Sequence, residues 1–229
     1  MSNERVNADF SRRVVIATDE LPWIPSPQAG VERRMLDRVG GEVARATSLV
    51  RYAPDSIFPE HQHALGEEFL VLSGVFSDEH GEYPSGTYIR NPPGSKHSPR
   101  SGPGCTIFVK LRQMQPEERE RVVIDTAAAA WQSGDADGHA RIVLHSAGNG
   151  GELVTMERLD AGASLQAYDC PGGEELFLLS GDLTDEAGSY KAGAWVRIPA
   201  GSRHGLSSDA GAVYWVKRGH LNGANDASQ

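Results

Sequence analysis

The chain has 229 residues, 39% of them hydrophobic, and its 31 acidic against 22 basic side chains give a formal net charge of −9. This acidic balance opposes the positive potential that a phosphate backbone requires, so nucleic acid is not an expected partner. No apolar run approaches the roughly 20 residues that cross a bilayer, so a membrane is not expected either. The first residues lack the apolar core of a signal peptide, and two cysteines, Cys105 and Cys170, suit a reducing compartment. We therefore expect a cytoplasmic protein.

An internal repeat organises the chain. Gly66–His97 matches Gly173–His204 at a constant offset of 107 residues without a gap, and 16 of the 32 aligned positions are identical. The 26 glycines and 13 prolines are spread along the chain and mark many turns between short segments. Together these features predict a duplicated all-β fold.

Short apolar runs in each copy predict its strands. The runs end at glycines or begin after turns, and they are Phe69–Leu72, Cys105–Leu111, Leu176–Leu179 and Val213–Lys217. The charged segment Gln115–Arg121 is predicted to be a linker or one short helix, and it places the domain boundary. The predicted domains are residues 14–114 and 122–219, and the polar residues 1 to about 13 and 220–229 are expected to fray.

Three histidines and one glutamate in the first copy predict a metal site. His61 and His63 are one residue apart, so alternation along a strand places both on one face, and Glu67 follows four residues later. His97 comes after a turn and a Pro-Pro-Gly corner that can bring a second strand alongside. Buried imidazoles need partners, and a metal ion supplies one. Four ligands of this kind leave positions open for a substrate.

The same residues carry a family resemblance. The first motif is His61, His63, Glu67 and Gly74, and the second is Gly86, Pro92, Gly94 and His97, with departures only at two positions that bind nothing, Asp55 and Ser101. Together with the connecting sequence Glu67–Glu79, these motifs make the first copy resemble the ChrR-like cupin family. The resemblance implies tandem double-stranded β-helix barrels of the cupin or jelly-roll type, a bicupin, and the ligand set already named.

The second copy keeps only half of this set. Tyr168 and Cys170 replace the paired histidines, while Glu174 and His204 remain. We therefore expect one divalent metal ion in the whole chain and a structural second barrel. Cys170 is expected to be a buried thiol, with Glu174 and His204 bonded to each other or to Tyr168. Replacing Tyr168 and Cys170 by histidines is expected to restore a metal site.

Three functions remain open from sequence, each with a small-molecule substrate or ligand. The favoured one is an iron-dependent dioxygenase-like enzyme. The second is a zinc-binding sensor related to the cupin domain of ChrR-type anti-sigma factors. The third is a sugar isomerase or epimerase. Zinc or iron is the expected metal, with manganese and nickel also compatible, and a homodimer is left open.

No catalytic base can be assigned from sequence. Tyr83, Tyr88 and Arg90 lie near the second motif and are the candidates. Anti-sigma relatives contact the sigma factor through a separate helical zinc-binding domain. No histidine precedes His61 and no cysteine precedes Cys105. We therefore expect that domain to be absent and direct anti-sigma activity to be disfavoured.

Overall fold

The computed structural model of the protein describes residues 4–41, 43–148 and 151–222. These residues form two compact units, one of residues 4–8 and 21–128 and the other of residues 9–20 and 129–222. The helical content of the described residues is a single turn of 3-10 helix, Thr18–Glu20. None of it is a helix long and apolar enough to span a membrane.

The strands are short and follow one another through tight turns. In chain order they are β1 (Arg5–Val6), β2 (Val14–Ala17), β3 (Ile24–Pro25), β4 (Val31–Gly40), β5 (Ala44–Tyr52), β6 (Ser56–Ile57), β7 (His61–Gln62), β8 (Glu67–Asp78), β9 (Gly81–Pro84), β10 (Thr87–Asn91), β11 (Lys96–His97), β12 (Arg100–Ser101), β13 (Cys105–Leu111), β14 (Val122–Asp125), β15 (Gln132–Ser133), β16 (His139–Ser146), β17 (Leu153–Leu159), β18 (Ser164–Cys170), β19 (Glu174–Asp185), β20 (Gly188–Lys191), β21 (Ala194–Ile198), β22 (Ser202–Ser207) and β23 (Ala212–Arg218).

The first unit is an antiparallel barrel of jelly-roll type. Its main sheet has the order β1-β4-β5-β13-β8-β10-β14, and β9 and β12 pair with the far half of β8. Strands β7 and β11 form a separate two-stranded ribbon, in which His97 lies opposite His61. The predicted run Phe69–Leu72 lies within β8, where it is mostly buried.

The second unit repeats this arrangement. Its sheet has the order β15-β16-β17-β23-β19-β21-β2, with β20 and β22 on the far half of β19 and β18 paired to β22. In both units the last long strand pairs with the same residues of the central one, so Leu111 lies opposite Glu67 and Arg218 lies opposite Glu174. The 107-residue register of the sequence therefore continues through β13 and β23.

Each central strand, β8 or β19, contains a glycine between its two halves, which pair with different neighbouring strands. Gly74 and Gly181 adopt φ values of 72° and 80°. A Cβ atom would lie 2.0 Å from the Gly104 carbonyl oxygen at the first position and 1.7 Å from that of Gly211 at the second. Only glycine fits there, because the space is taken and the backbone is left-handed.

The segments before each barrel differ from the sequence-based boundaries. Strand β14, placed by sequence in the second domain, pairs with β10 of the first unit, and β2, placed in the first domain, pairs with β21 of the second. Each barrel thus receives an added edge strand. The segment 115–121 contains no helix. Of the residues expected to fray, Phe10 is 2% exposed because it packs under Arg197 of its own unit.

Candidate metal centre

The structure brings His61, His63 and His97 together in the first unit. Each offers one ring nitrogen, and these nitrogens lie within 4.8 Å of one another. The Nε2 atoms of His63 and His97 are 2.9 Å apart. Register explains the convergence, because the ribbon of β7 and β11 sets His97 directly opposite His61.

Glu67 closes the group from the start of β8. Its Oε2 atom lies 3.4 Å from Nε2 of His63 and 3.5 Å from Nε2 of His97. Donor atoms bound at about 2.1 Å to one ion lie about 3.0–3.4 Å apart, for right-angle to tetrahedral geometry. The three imidazoles therefore lie close enough together to share one ion, and the Glu67 carboxylate lies beside two of them.

Two hydrogen bonds orient the imidazoles. Nδ1 of His97 lies 3.3 Å from Oδ2 of Asp78, and Nδ1 of His61 lies 2.9 Å from the carbonyl oxygen of Pro59. An acceptor at Nδ1 keeps the proton there and leaves the Nε2 lone pair free for a metal. Both rings are thus held in the tautomer that a ligand needs.

The charges around the site act differently on its two buried histidines. Burial lowers the pKa of His63, although Glu67 partly opposes it. Burial would also lower the pKa of His97, but its hydrogen bond to Asp78 and the charge of Glu67 outweigh burial and raise it. His63 is therefore the more readily kept neutral, the form in which imidazole binds a metal.

A second layer of side chains joins Asp78 to Glu67. Tyr83 donates to Asp78 Oδ1 over 3.1 Å, and Arg121 donates to the Tyr83 hydroxyl over 2.8 Å. Arg121 also donates to Asn91 Oδ1, and Asn91 donates to Glu67 Oε2 over 3.3 Å. The linker segment thus contributes Arg121 to the support of both ends of the site.

An apolar cavity of about 320 Å³ adjoins the site. Its wall includes His61, His63 and Glu67, and among its apolar side chains are Val31, Val50, Phe58, Ile107, Val109 and Leu111. A small organic molecule in this cavity would therefore meet the imidazoles and the carboxylate at one end and hydrocarbon along its length.

The second unit assembles the residues that remain in its copy. Cys170, Glu174 and His204 are buried with donor atoms within 4.8 Å of one another. Tyr168 donates to both carboxylate oxygens of Glu174, over 3.0 and 3.1 Å, and His204 Nε2 lies 3.2 Å from Glu174 Oε1. These contacts match the expected bonding. Burial raises the pKa of the Cys170 thiol to about 12, so the thiol form prevails.

Arg218 supplies a cation in this second group. Its Nε donates to Glu174 Oε2 over 2.6 Å, and its Nη1 donates to Glu157 Oε1 over 2.5 Å. Glu157 is fully buried and also accepts hydrogen bonds from Tyr214 and Thr155. The guanidinium therefore neutralises the carboxylates that a metal would otherwise meet.

Sequence reasoning missed Arg218 and Glu157. The predicted strand Val213–Lys217 stopped one residue short of Arg218. The 107-residue offset, carried to the strand ends, places Arg218 at the position of Leu111 and Glu157 at that of Val50. Two charged residues at apolar positions of a repeat were the signal that could have found the second network.

The candidate bases are engaged elsewhere. Tyr88 and Arg90 both donate to Glu68 Oε2, over 2.7 and 2.8 Å, and all three are buried. Glu68 follows Glu67 on a strand, so it faces the opposite side. Tyr83 bonds to Asp78 and lies outside the cavity wall. None of the three candidates reaches the cavity.

Comparison with known families decides the relationship. The sequence profile of the ChrR cupin-like domain matches the chain twice, over residues 11–115 and 119–222. The chain belongs to this family. The predicted resemblance to the ChrR-like cupin family and the predicted bicupin fold are both confirmed. Among curated protein sequences, none matches the chain.

Solved structures share the fold at low identity. A protein from Nostoc punctiforme, provisionally assigned as a dioxygenase, has a TM-score of 0.76 at 16% identity over 92% of this chain and 84% of its own. A provisionally assigned glyoxylate-induced protein from Pseudomonas aeruginosa has a TM-score of 0.74 at 14% identity, covering 90% and 88%. Oxalate decarboxylase from Bacillus subtilis has a TM-score of 0.64 at 11% identity, covering 90% and 76%. At these identities the likeness establishes the fold alone.

Proposed function

We propose that the first barrel is a metal-dependent enzyme acting on a small organic molecule, with an iron(II) dioxygenase as the favoured form. The observation that carries the proposal is the convergence of three imidazoles and one carboxylate at the end of an apolar cavity. Structural zinc sites are usually closed and rich in thiolate, whereas this donor set leaves coordination positions free.

His61, His63, Glu67 and His97 would hold the ion. A divalent ion there supplies electrophilic binding of substrate oxygens and, as iron(II), electron transfer to dioxygen. Asp78 and the Pro59 carbonyl fix the two rings that they contact. The hydrocarbon wall keeps water away from a bound substrate, which strengthens electrostatic interactions at the site.

The fold neighbours are compatible with such chemistry. One is the provisional dioxygenase from Nostoc punctiforme, and oxalate decarboxylase from Bacillus subtilis carries Mn(II) centres. Both relationships are too distant in sequence to transfer an activity, so the proposal stands on the cavity and its donor set. The second barrel is proposed to hold no metal, because Arg218 already occupies its carboxylates.

The test combines metal analysis with oxygen uptake. Protein purified without added metal should carry about one ion per chain. After anaerobic loading, the iron form should consume oxygen with a small ketone or diketone, and the zinc form should not, because zinc has no redox chemistry.

A zinc-dependent ligand sensor is the second candidate, and the ChrR cupin-like family match favours it. It becomes the better account if zinc is the ion found after native purification and the iron form consumes no oxygen with any compound of the screen. As a sensor, the protein should retain its zinc and bind a small molecule without converting it to a product.

A further inference from the structure

Two polar side chains in the cavity wall are left without a hydrogen bond or ion pair to the rest of the described chain. They are the hydroxyl of Tyr52 and the guanidinium of Arg112, and both residues line the cavity beside the candidate metal centre. Tyr52 is buried, where polar groups normally find partners, and Arg112 is half-buried. These two hydrogen-bond donors therefore indicate that a bound molecule should present acceptor groups to them.

Arg112 has a backbone conformation that favours glycine. Its φ is 59°, and its repeat counterpart is Gly219, with φ 82°. The Arg112 backbone N–H donates to the carbonyl oxygen of Gly66 over 3.0 Å, which fixes Arg112 beside the loop that leads into Glu67. Glycine adopts this backbone conformation at a lower energetic cost than arginine does. We therefore attribute the arginine at this position to ligand binding rather than to packing.

Tyr52 contributes a hydroxyl where the repeat has none. It ends β5, is 8% exposed and packs edge-on against Phe76 with ring centroids 5.8 Å apart. Its counterpart by strand register is Leu159, a purely apolar residue. Phenylalanine would serve the packing equally well, and the hydroxyl therefore adds a hydrogen-bond donor to the cavity.

We propose that the cavity binds a small organic carboxylate with an apolar body. The carboxylate pairs with Arg112, since guanidinium and carboxylate groups bond in a two-pronged geometry. The body lies against the valine and isoleucine wall, and a second oxygen accepts a hydrogen bond from Tyr52. The inference rests on the proposed function for the metal-facing end of the molecule, and Arg112 and Tyr52 are specificity-determining residues in it.

Binding to the zinc-loaded full chain tests the proposal without requiring turnover. The probes are 2-oxo acids of three to nine carbons with aliphatic or aryl bodies, together with their methyl esters, titrated by calorimetry. We expect at least one acid to bind at least 10-fold more tightly than its ester. Because zinc replaces iron, a failure to consume oxygen in the earlier test does not affect this result.

Arg112→Gly is the decisive variant, because the second copy carries glycine at this position. It should lose at least 10-fold in affinity for the acid, leave the affinity for the ester unchanged, keep the metal content, and keep or raise the melting temperature. Arg112→Lys should retain part of the preference for the acid. Equal binding of acids and esters, binding of no probe, or an unchanged acid affinity in Arg112→Gly overturns the proposal.

Tyr52→Phe tests the second contact. It should weaken acid and ester alike, by about 5-fold to 10-fold, because both retain the 2-oxo oxygen. The melting temperature without ligand should stay the same or rise, since an unbonded hydroxyl is removed from the interior. An unchanged affinity in Tyr52→Phe overturns its assigned role in recognition.

Discussion

The two barrels share a framework and obtain their central cation differently. Glu67 and His97 in the first unit correspond to Glu174 and His204 in the second, and each pair lies in contact. The first unit adds two more imidazoles and opens onto a cavity. The second adds Arg218, whose guanidinium binds Glu174 directly. On the proposed assignment, the first barrel receives an external cation, whereas the second contains its own in Arg218.

The difference extends to the strands facing the site. Three apolar residues of the first barrel have polar or charged counterparts in the second, and the pairs are Val50 with Glu157, Ile107 with Tyr214, and Leu111 with Arg218. These positions line the cavity in the first unit. In the second unit the same positions carry side chains that bond to Glu174 or to one another, so one set of positions distinguishes both the wall and the charge balance of the two barrels.

The largest expected effect is a difference in metal content between variants of His97 and of its counterpart His204. His97→Ala should lower metal occupancy from about one ion per chain to below about one tenth, because even the loss of an outer-layer partner costs about 10–100-fold in affinity. Metal analysis of the purified, folded variants measures it. His204→Ala is the matched control and should keep the full content. Equal metal content in the two variants would contradict the ligand assignment.

Converting the second barrel sharpens the comparison. Tyr168→His with Cys170→His, expected from sequence to restore a metal site, should leave the content at about one ion, because Arg218 still occupies the carboxylates. Adding Arg218→Leu and Glu157→Val should raise it to about two. If the simple double variant already binds two ions, Arg218 is not what excludes the metal.

The next largest effect is on the stability of the second unit, which should depend on Arg218. Arg218→Leu leaves Glu157 buried without its main charge partner and should destabilise the second unit by about 3–5 kcal/mol. The paired change Arg218→Leu with Glu157→Val removes both charges and should cost clearly less. Urea unfolding of the two variants measures the difference. Similar losses would show that the ion pair is not the source of the effect.

The same pair gives a pH dependence of defined sign. Burial alone would raise the pKa of Glu157, but Arg218 and His139 outweigh burial and hold it far below its ordinary value of 4.5. A carboxyl group with a depressed native pKa stabilises the fold above that ordinary value and loses its contribution as the pH falls. Stability of the second unit should therefore drop steeply below about pH 4.5. The paired variant should show a shallower drop in urea unfolding measured at pH 7, 5 and 3.

The sequence was sufficient for the fold and for the first candidate site. A gapless repeat with retained turn glycines requires the same backbone twice, and the spacing of His61, His63, Glu67 and His97 follows from strand alternation and one corner. These are local or periodic relationships. The structure places ring nitrogens of the three histidines within 4.8 Å of one another and the Glu67 carboxylate beside two of them.

The contacts that sequence could not supply run between segments far apart along the chain. Arg121 lies in a segment predicted only as a linker or helix, yet its edge strand brings it to Tyr83 and Asn91. Such pairings depend on which strand receives an added neighbour, and hydrophobic periodicity carries no information on that choice.

The smallest effect we predict uses the two arms that extend the sheets. Arg121 bonds to Tyr83, whose hydroxyl bonds to Asp78, and Arg13 makes the corresponding contacts with Tyr190 and Asp185 in the second unit. Both arginine side chains are partly exposed, so Arg121→Ala should cost about 1 kcal/mol of stability. Arg13→Ala should cost at least as much, because Arg13 also pairs directly with the buried Asp185 carboxylate.

Only Arg121 acts on residues that orient a metal site, because Asp78 holds His97 and Asn91 holds Glu67. Arg121→Ala should weaken zinc affinity by about 10-fold, at the lower end of the range for outer-layer changes, measured by competition with a chelator. Arg13→Ala should leave zinc affinity unchanged at an equal or larger loss of stability. A Lys at position 121 keeps the charge but loses the forked geometry, so Arg121→Lys should fall between the wild type and alanine. If Arg13→Ala weakens zinc binding as much as Arg121→Ala does, the effect is one of general stability and the arm has no specific role in orienting the ligands.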